Sequence, residues 1–279
     1  MKNDLLYSNY KKSLEQKYNA VCFDIDGTLT IQNSKTIDDR AIEMIVNLLN
    51  KKIPVVFITG RGETGLNNLK DDIYNRIKTA QYITDSDIKR IYVLTNDGAR
   101  LFYSLGISKD EFLRENIYIS SKEELEQLLN VKENIEIIKE KSKYSDNFKI
   151  TYSKDLVTGE IINIRLVFNT KNNEGINSII DIIQDYITRY GLSGVHLTRG
   201  IYEGNYVVQI GTATKDIAIE RTEKLIGVPR NSMIRIGDCG DLHGNDYAML
   251  NCMQGYSVDK TSDSVNSCFP VFDENGNIL

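Results

Sequence analysis

Short apolar runs alternate with amphipathic stretches along most of the chain, and the two periods predict strands and helices in turn. Ala20-Val21-Cys22-Phe23 and Pro54-Val55-Val56-Phe57-Ile58 are continuous apolar runs, the kind buried on both faces of a parallel sheet. Ile91-Tyr92-Val93-Leu94 and Met233 to Ile236 read the same way. Between the first two runs, residues 38–51 place Ile42, Ile45, Leu48 and Leu49 on one helical face, with Thr36 and Asp39 as a capping box. A long polar helix is expected over residues 63–79, and further helices over 215–225 and from Asp246 toward Cys252.

The middle third has a different texture. Ser121-Lys122-Glu123-Glu124 starts a helix expected to run through Leu129. Phe148 to Tyr152, Ile162 to Phe168 and Tyr206 to Ile210 alternate as half-exposed strands, with a helix over 175–190 between them. The predicted fold class is therefore α/β, a Rossmann-like parallel sheet core carrying an inserted α+β module. The expected boundaries are 1–104 plus 210–279 for the discontinuous core and 105–209 for the insert.

Composition narrows the functional classes. The chain has 279 residues, 41% of them hydrophobic, with a net charge of −5, enough for a buried core and typical of a globular protein. No Lys/Arg run is dense enough for a nucleic-acid footprint, so no nucleic-acid partner is expected. The longest apolar run is too short to span a bilayer, so no membrane association is expected. Cys22, Cys239, Cys252 and Cys268 lack metal-type spacing and read as the reduced thiols of a cytoplasmic protein.

The chemistry is concentrated at strand ends. The first apolar run ends in Asp24-Ile25-Asp26-Gly27-Thr28, two carboxylates one residue apart with no local cation. A strand followed by an Asp-Gly turn would explain the spacing alone. Phosphoryl transfer explains the residue types as well, because it needs a nucleophile, a proton donor, a fixed cation and a divalent metal. The second run ends in Thr59-Gly60-Arg61 and a later one in Gly237-Asp238, and in an open parallel sheet such ends meet at one edge. Asp24 can serve as nucleophile, and Thr59 can donate through its hydroxyl and amide. Lys215 can supply the cation. Asp24, the backbone carbonyl of Asp26, and Asp238 can hold magnesium through oxygen. Arg61 reads as a structural partner of a nearby carboxylate. His243 reads as a surface histidine.

As a set, Asp24-x-Asp26-Gly27-Thr28, Thr59-Gly60-Arg61, Lys215, and Gly237-Asp238 with Asn245-Asp246 resemble the four motifs of the haloacid dehalogenase-like superfamily. The insert is similar to the cap of its Cof-type sugar-phosphate phosphatases. Asn96-Asp97-Gly98-Ala99 resembles the Asn-Gly-Ala turn that precedes such caps, with one extra residue. The resemblance implies that Asp24 is the nucleophile and Asp26 the general acid and base. It implies that Thr59, Gly60 and Lys215 bind phosphate, that Asp238 binds Mg2+, and that Asn245 and Asp246 support the site. The Cys239 to Gly244 loop is longer than the Cof pattern and resembles the phosphomannomutase branch. It leaves Asp241 and Asp246 as alternatives for the second acidic partner, with Asp246 favoured by its Asn-Asp context.

The expected activity is a phosphoric monoester hydrolase acting on a small phosphorylated metabolite, a sugar phosphate first among them. A sugar phosphomutase and a non-catalytic module on the same scaffold are the rivals. No Gly-x-Gly-x-x-Gly follows the first strand, which argues against dinucleotide chemistry. In the insert, Asn163 and Arg165 share one strand face, as do Lys149 and Thr151 next to them, and one such face could cover the site. Arg165, and Arg199 in a loop before the last cap strand, are the specificity candidates. Oligomeric state is not legible.

Overall fold

The computed structural model describes residues 2–30, 34, 36–62, 69–107, 112–115, 119–141, 145–169, 173–202, 205–242 and 244–278. Two sheets organise the chain. The larger has eight strands: β1 (Ala20–Phe23), β2 (Val55–Ile58), β3 (Ile91–Thr95), β4 (Arg100–Ser104), β5 (Phe112–Glu115), β10 (Met233–Cys239), β11 (Gly255–Lys260) and β12 (Phe269–Pro270). Their order is β12-β11-β10-β1-β2-β3-β4-β5. All neighbours from β12 to β3 run parallel, and β4 and β5 add an antiparallel edge.

Both faces of the parallel part are covered, which is why its strands are continuously apolar. On one face Val21, Phe23, Val55, Phe57 and Val93 pack on α2 (Asp39–Asn50) through Ile42, Ile45 and Leu49. On the other, Cys22, Val56, Ile58 and Leu94 meet Ala218 and Ile219 of α5 (Lys215–Ile226) together with Met249 and Leu250. The chain passes from β1 to β2 on one side and reaches β10 on the other. The crevice at the carboxyl ends of β1 and β10 is therefore the switch point of the sheet, the position where open α/β sheets bind ligands.

The second sheet is antiparallel, ordered β6-β7-β9-β8, from β6 (Phe148–Lys154), β7 (Ile161–Phe168), β8 (His196–Tyr202) and β9 (Asn205–Gly211). One face carries Ile164, Leu166, Phe168, Val208 and Ile210, buried with the apolar sides of α3 (Lys122–Lys141) and α4 (Asn173–Arg189). The other face looks toward the large sheet.

Several expectations need correction. α2 is capped by Asp38, whose carboxylate accepts from the Arg40 amide, and not by Thr36. The Ser121–Glu124 capping box forms as expected, with Ser121 N–H donating to Glu124 and Glu124 N–H to Ser121. Its helix runs on to Lys141, because Val131 and Ile135 extend the buried stripe past Leu129. β5 was expected in the insert, yet it pairs with β4 in the large sheet, so the chain leaves that sheet later than residue 104. The second sheet in turn runs past residue 209 to Gly211. The polar helix expected over 63–79 is a π-type turn over Lys70–Tyr74 followed by an α turn over Asn75–Lys78, and its first six residues lie outside the described ones. The helix expected from Asp246 is the single turn Tyr247–Leu250. The N-terminal helix α1 (Lys2–Leu14) was not foreseen; Tyr7 and Tyr10 pack on Phe272, and Tyr10 also meets Tyr256.

Between the two sheets lies a buried ion cluster. The Arg100 guanidinium on β4 and that of Arg114 on β5 both donate to Asp155 in the turn after β6. Burial alone would raise the Asp155 pKa. The amides of Thr158 and Val157 and the Arg100 charge outweigh it and hold the carboxyl far below its usual range. The cluster is therefore a charged joint between the second sheet and the first.

Candidate active site

β1 delivers Asp24 at its carboxyl end, where the Asp24 amide still continues the parallel ladder to Ile236. The chain then turns sharply. Gly27 has a φ of +84°, and a side chain there would sit 2.4 Å from Asp238 Oδ2. A glycine is required both for the left-handed backbone and for the approach of that carboxylate. Gly237 has a similar reason: an added Cβ would lie 2.6 Å from Asp246 Oδ2. The glycines of the first and last motifs are thus set by how closely the carboxylates pack.

Four buried side chains form the centre. Lys215, the first residue of α5, donates to Asp24 Oδ1 at 2.6 Å and to Asp246 Oδ1 at 2.5 Å. Asp246 Oδ2 accepts from the amides of Asp238 and Cys239 at 3.0 and 3.1 Å. Thr28 Oγ1 donates to Asp24 Oδ2 at 3.3 Å. One carboxylate oxygen from each of Asp24, Asp238 and Asp246 lies within 4.8 Å of the others.

Their ionisation follows from the crowding. Burial, then the Asp246 charge, push Asp24 well above the usual carboxylate range, against the pull of Lys215. Burial and Asp246 raise Asp238 to about 7. Burial would raise Asp246 too, but the Lys215 ammonium and the amide donors hold it below its ordinary value. Burial alone would lower the Lys215 pKa; Asp24, Asp246 and Asp97 outweigh it and raise it well above the usual lysine value. Three buried carboxylates share one ammonium, so ionising all three leaves net negative charge, which a further cation would relieve.

The donor set fits a hard divalent ion. It offers only oxygen, from Asp24, Asp238 and Asp246; Asp246 already accepts from Lys215 and two backbone amides, Asp24 from Lys215 and Thr28, and Asp238 from the Cys239 thiol. Asp246 braces Lys215 and the backbone beneath Asp238. Asp241 lies elsewhere, lining a second cavity beside Lys260 and Tyr206. Asp246 is the acidic residue brought to the centre. Asn245 stands on the cavity wall; its amide donates to Arg199 O.

Thr59 is fully buried at the end of β2. Its amide is spent on Leu94 O, so only the hydroxyl, which also accepts from the Arg61 amide at 3.1 Å, remains to meet a ligand. Arg61 does pair with a carboxylate, and the partner is Asp26: the guanidinium grips both Asp26 oxygens, at 2.6 to 3.1 Å. His243 lies outside the described residues.

A cavity of about 200 Å³ opens over Asp24 and Asp26, floored by Gly60 and Arg61 and roofed by the second sheet. Arg165 enters it and bonds Gln209 Oε1 at 2.9 Å and Gly60 O. Arg199 also reaches it, from strand β8 and not from a loop, and donates to Leu242 O at 2.9 Å. Arg165 and Arg199 thus tie the second sheet to the motif loops of the first.

Asp97 belongs to the site although the four motifs do not include it. It is buried, its carboxylate accepts from Gln209, and burial raises its pKa against the fields of Lys215 and Arg165. Asn96 and Asp97 both take left-handed backbone, with φ of 52° and 56°. Their amides hold Arg61 O and Thr59 O. The only hint in the sequence was the extra residue in Asn96-Asp97-Gly98.

A family model for haloacid dehalogenase-like hydrolases matches residues 21–268. The chain belongs to that family. A search of curated proteins finds no match to this sequence. Among solved structures, N-terminally truncated IMP-nucleotidase from Plasmodium falciparum is similar at a TM-score of 0.67 and 16% identity, over 91% of this chain and 69% of that one. A haloacid dehalogenase-like hydrolase from Bacteroides thetaiotaomicron is similar at 0.57 and 15%, over 89% and 91%. Sucrose-phosphatase from Synechocystis sp. PCC6803, solved with sucrose and phosphate, gives 0.50 and 14%, over 84% and 79%. At such identities these likenesses concern the fold.

Proposed function

We propose that this protein is a magnesium-dependent phosphatase of small phosphorylated metabolites that works through an aspartyl-phosphate. The observation that carries the reading is the buried Asp24–Lys215–Asp246 chain beside Asp238 at the switch point of the sheet. A carboxylate held by a fixed ammonium at the floor of a cavity suits nucleophilic attack on phosphorus. The second sheet and its helices act as a cap over the site. Two neighbours, solved with IMP and with sucrose plus phosphate, lend support for a small phosphorylated substrate.

In this reading Asp24 attacks the phosphorus of the monoester, and the bond to the leaving oxygen breaks while Asp26 gives that oxygen its proton. Water then attacks the aspartyl-phosphate, Asp26 takes the proton of that water, and phosphate leaves with Asp24 regenerated. Arg61, which grips both Asp26 oxygens, holds the carboxylate in place and frees one oxygen for each transfer. Lys215 and the Thr59 hydroxyl meet the phosphoryl oxygens, and Gly60 lets the group approach the backbone. Asp24, the Asp26 carbonyl and Asp238 would hold Mg2+, which supplies charge neutralisation at the phosphoryl oxygens. Asn245 and Asp246 support this arrangement. No described helix is long and apolar enough to cross a membrane and all four cysteines are free, which suits a cytoplasmic setting.

The test is release of inorganic phosphate from a panel of phosphorylated metabolites with magnesium and again with a chelator. Metal-dependent release is expected. An isomerised sugar phosphate without free phosphate would make the protein a mutase, and inertness toward every phosphomonoester would end the catalytic reading.

A further inference from the structure

The cavity-facing side of the second sheet is organised in rows set by strand register. Thr151, Arg165, Gln209 and Thr198 pair across the four strands as one row. The next row outward pairs Lys149, Val167, Val207 and Gly200. The first row is polar, and its centre is consumed in joining the sheets, since Arg165 bonds Gly60 O and Gln209 bonds Asp97. The second row breaks the alternation of the sheet. The apolar residues of β7 and β9 that build the core with α3 and α4 point the other way. Val167 and Val207 stand next to each other on the cavity wall, half-buried, outside that core.

Two adjacent valines give the cap nothing there until something apolar covers them. Beside them, Gly200 leaves an opening. A side chain at 200 would meet Asn245 at an ordinary 3.6 Å, so no clash demands glycine; its effect is to keep space between Val207 and Asn245. Asn245 Oδ1 borders that space, is buried, and has no hydrogen-bond partner among the described residues. An apolar shelf next to an unmet acceptor, lining the same cavity as Asp24 and Asp26, bears on the leaving group.

We infer that the substrate is a phosphomonoester whose leaving alcohol carries a planar heterocyclic ring beyond a hydroxylated stem, as a nucleoside 5′-monophosphate does, with the ring lying on Val167 and Val207. The inference rests on the phosphatase reading and narrows it, away from plain sugar phosphates. The stem passes under Thr151 and Thr198, and a hydroxyl or ring N–H meets Asn245. Val167 and Val207 are specificity residues that touch the ring and leave the chemistry at phosphorus to Asp24.

Ribose 5-phosphate is the control, because it is the same phosphorylated stem without the ring. Purine and pyrimidine nucleoside 5′-monophosphates should show kcat/KM at least about tenfold above ribose 5-phosphate, the effect expected from covering a valine pair. In the doubly substituted Val167→Thr, Val207→Thr protein, which keeps shape and β-branching, the ratio should collapse toward one through KM and not kcat. Equal values in the unaltered protein, a preference for hexose 6-phosphates, or an unchanged ratio in the variant would each overturn the inference. Calorimetry on Asp24→Asn with magnesium separates the two readings. Ring-dependent binding without turnover by the unaltered enzyme would sink the phosphatase and spare the shelf, whereas turnover without ring preference would do the reverse.

Discussion

At the carboxyl edge of the large sheet, Asp24, Lys215, Asp246 and Asp238 are buried and bound to one another. On the facing sheet, Thr151, Val167 and Val207 stand open to the same cavity. The first arrangement is a closed electrostatic system, in which each group's charge depends on the others and removal of one leaves another uncompensated. The second is a set of side chains aligned by strand register along one cavity wall. The first has the properties of reaction machinery, the second those of a recognition surface, and substitution should separate them.

The largest expected effect comes from Asp24, the proposed nucleophile. Asp24→Asn should lower kcat by at least about a thousandfold while the fold persists, since the amide keeps the shape. Phosphate release near the unaltered rate would refute its assignment. Next is Lys215→Met, which strips the ammonium from between two buried carboxylates. A loss of about 3–5 kcal/mol in denaturant unfolding is expected, the cost of breaking a buried pair. A melt superimposable on the parent would show the network to be energetically idle.

The third effect is linked to pH. Asp238 lies at about 7 in the folded chain against 3.8 for the free side chain, so between those values the folded state holds more protons than the unfolded. Metal-free stability attributable to this group should therefore be greatest below pH 4 and fall as pH rises toward 7. A divalent ion needs the carboxylate ionised, so the rise in Tm on adding magnesium should grow from pH 5.5 to pH 8. A magnesium effect that shrinks over that range would contradict the metal assignment. The smallest effect is expected from Arg165→Ala on the roof. Loss of its bond to Gly60 O should cost about tenfold in kcat/KM, with little change in unfolding. Unchanged specificity constants would leave Arg165 without a part in the site.

Much of the large sheet was legible because buried parallel strands are written as uninterrupted apolar runs; Ala20–Phe23 was read to the residue. The motif residues were legible because charge at a buried strand end is hard to explain by packing. β8 was missed, since His196-Leu-Thr-Arg-Gly-Ile-Tyr carries a glycine and weak alternation, and Arg199 was consequently expected in a loop. α1 was missed because its sequence is polar and its tyrosines find their aromatic partners on the distant C-terminal segment. The role of Asp97 was invisible, because Gln209 and Lys215 reach it from more than a hundred positions away.

Sequence alone determined the strand and helix periods, the residue types at the strand ends and hence the class of chemistry available, for these depend on local pattern and on what charge costs when buried. Tertiary structure decided that Asp246 and not Asp241 braces the lysine, that Arg61 grips Asp26, and that two valines share a cavity with Asp24 and Asp26. Those are facts of distance between elements. Register across four strands and packing between two sheets fix them, and no stretch of the chain carries that information by itself.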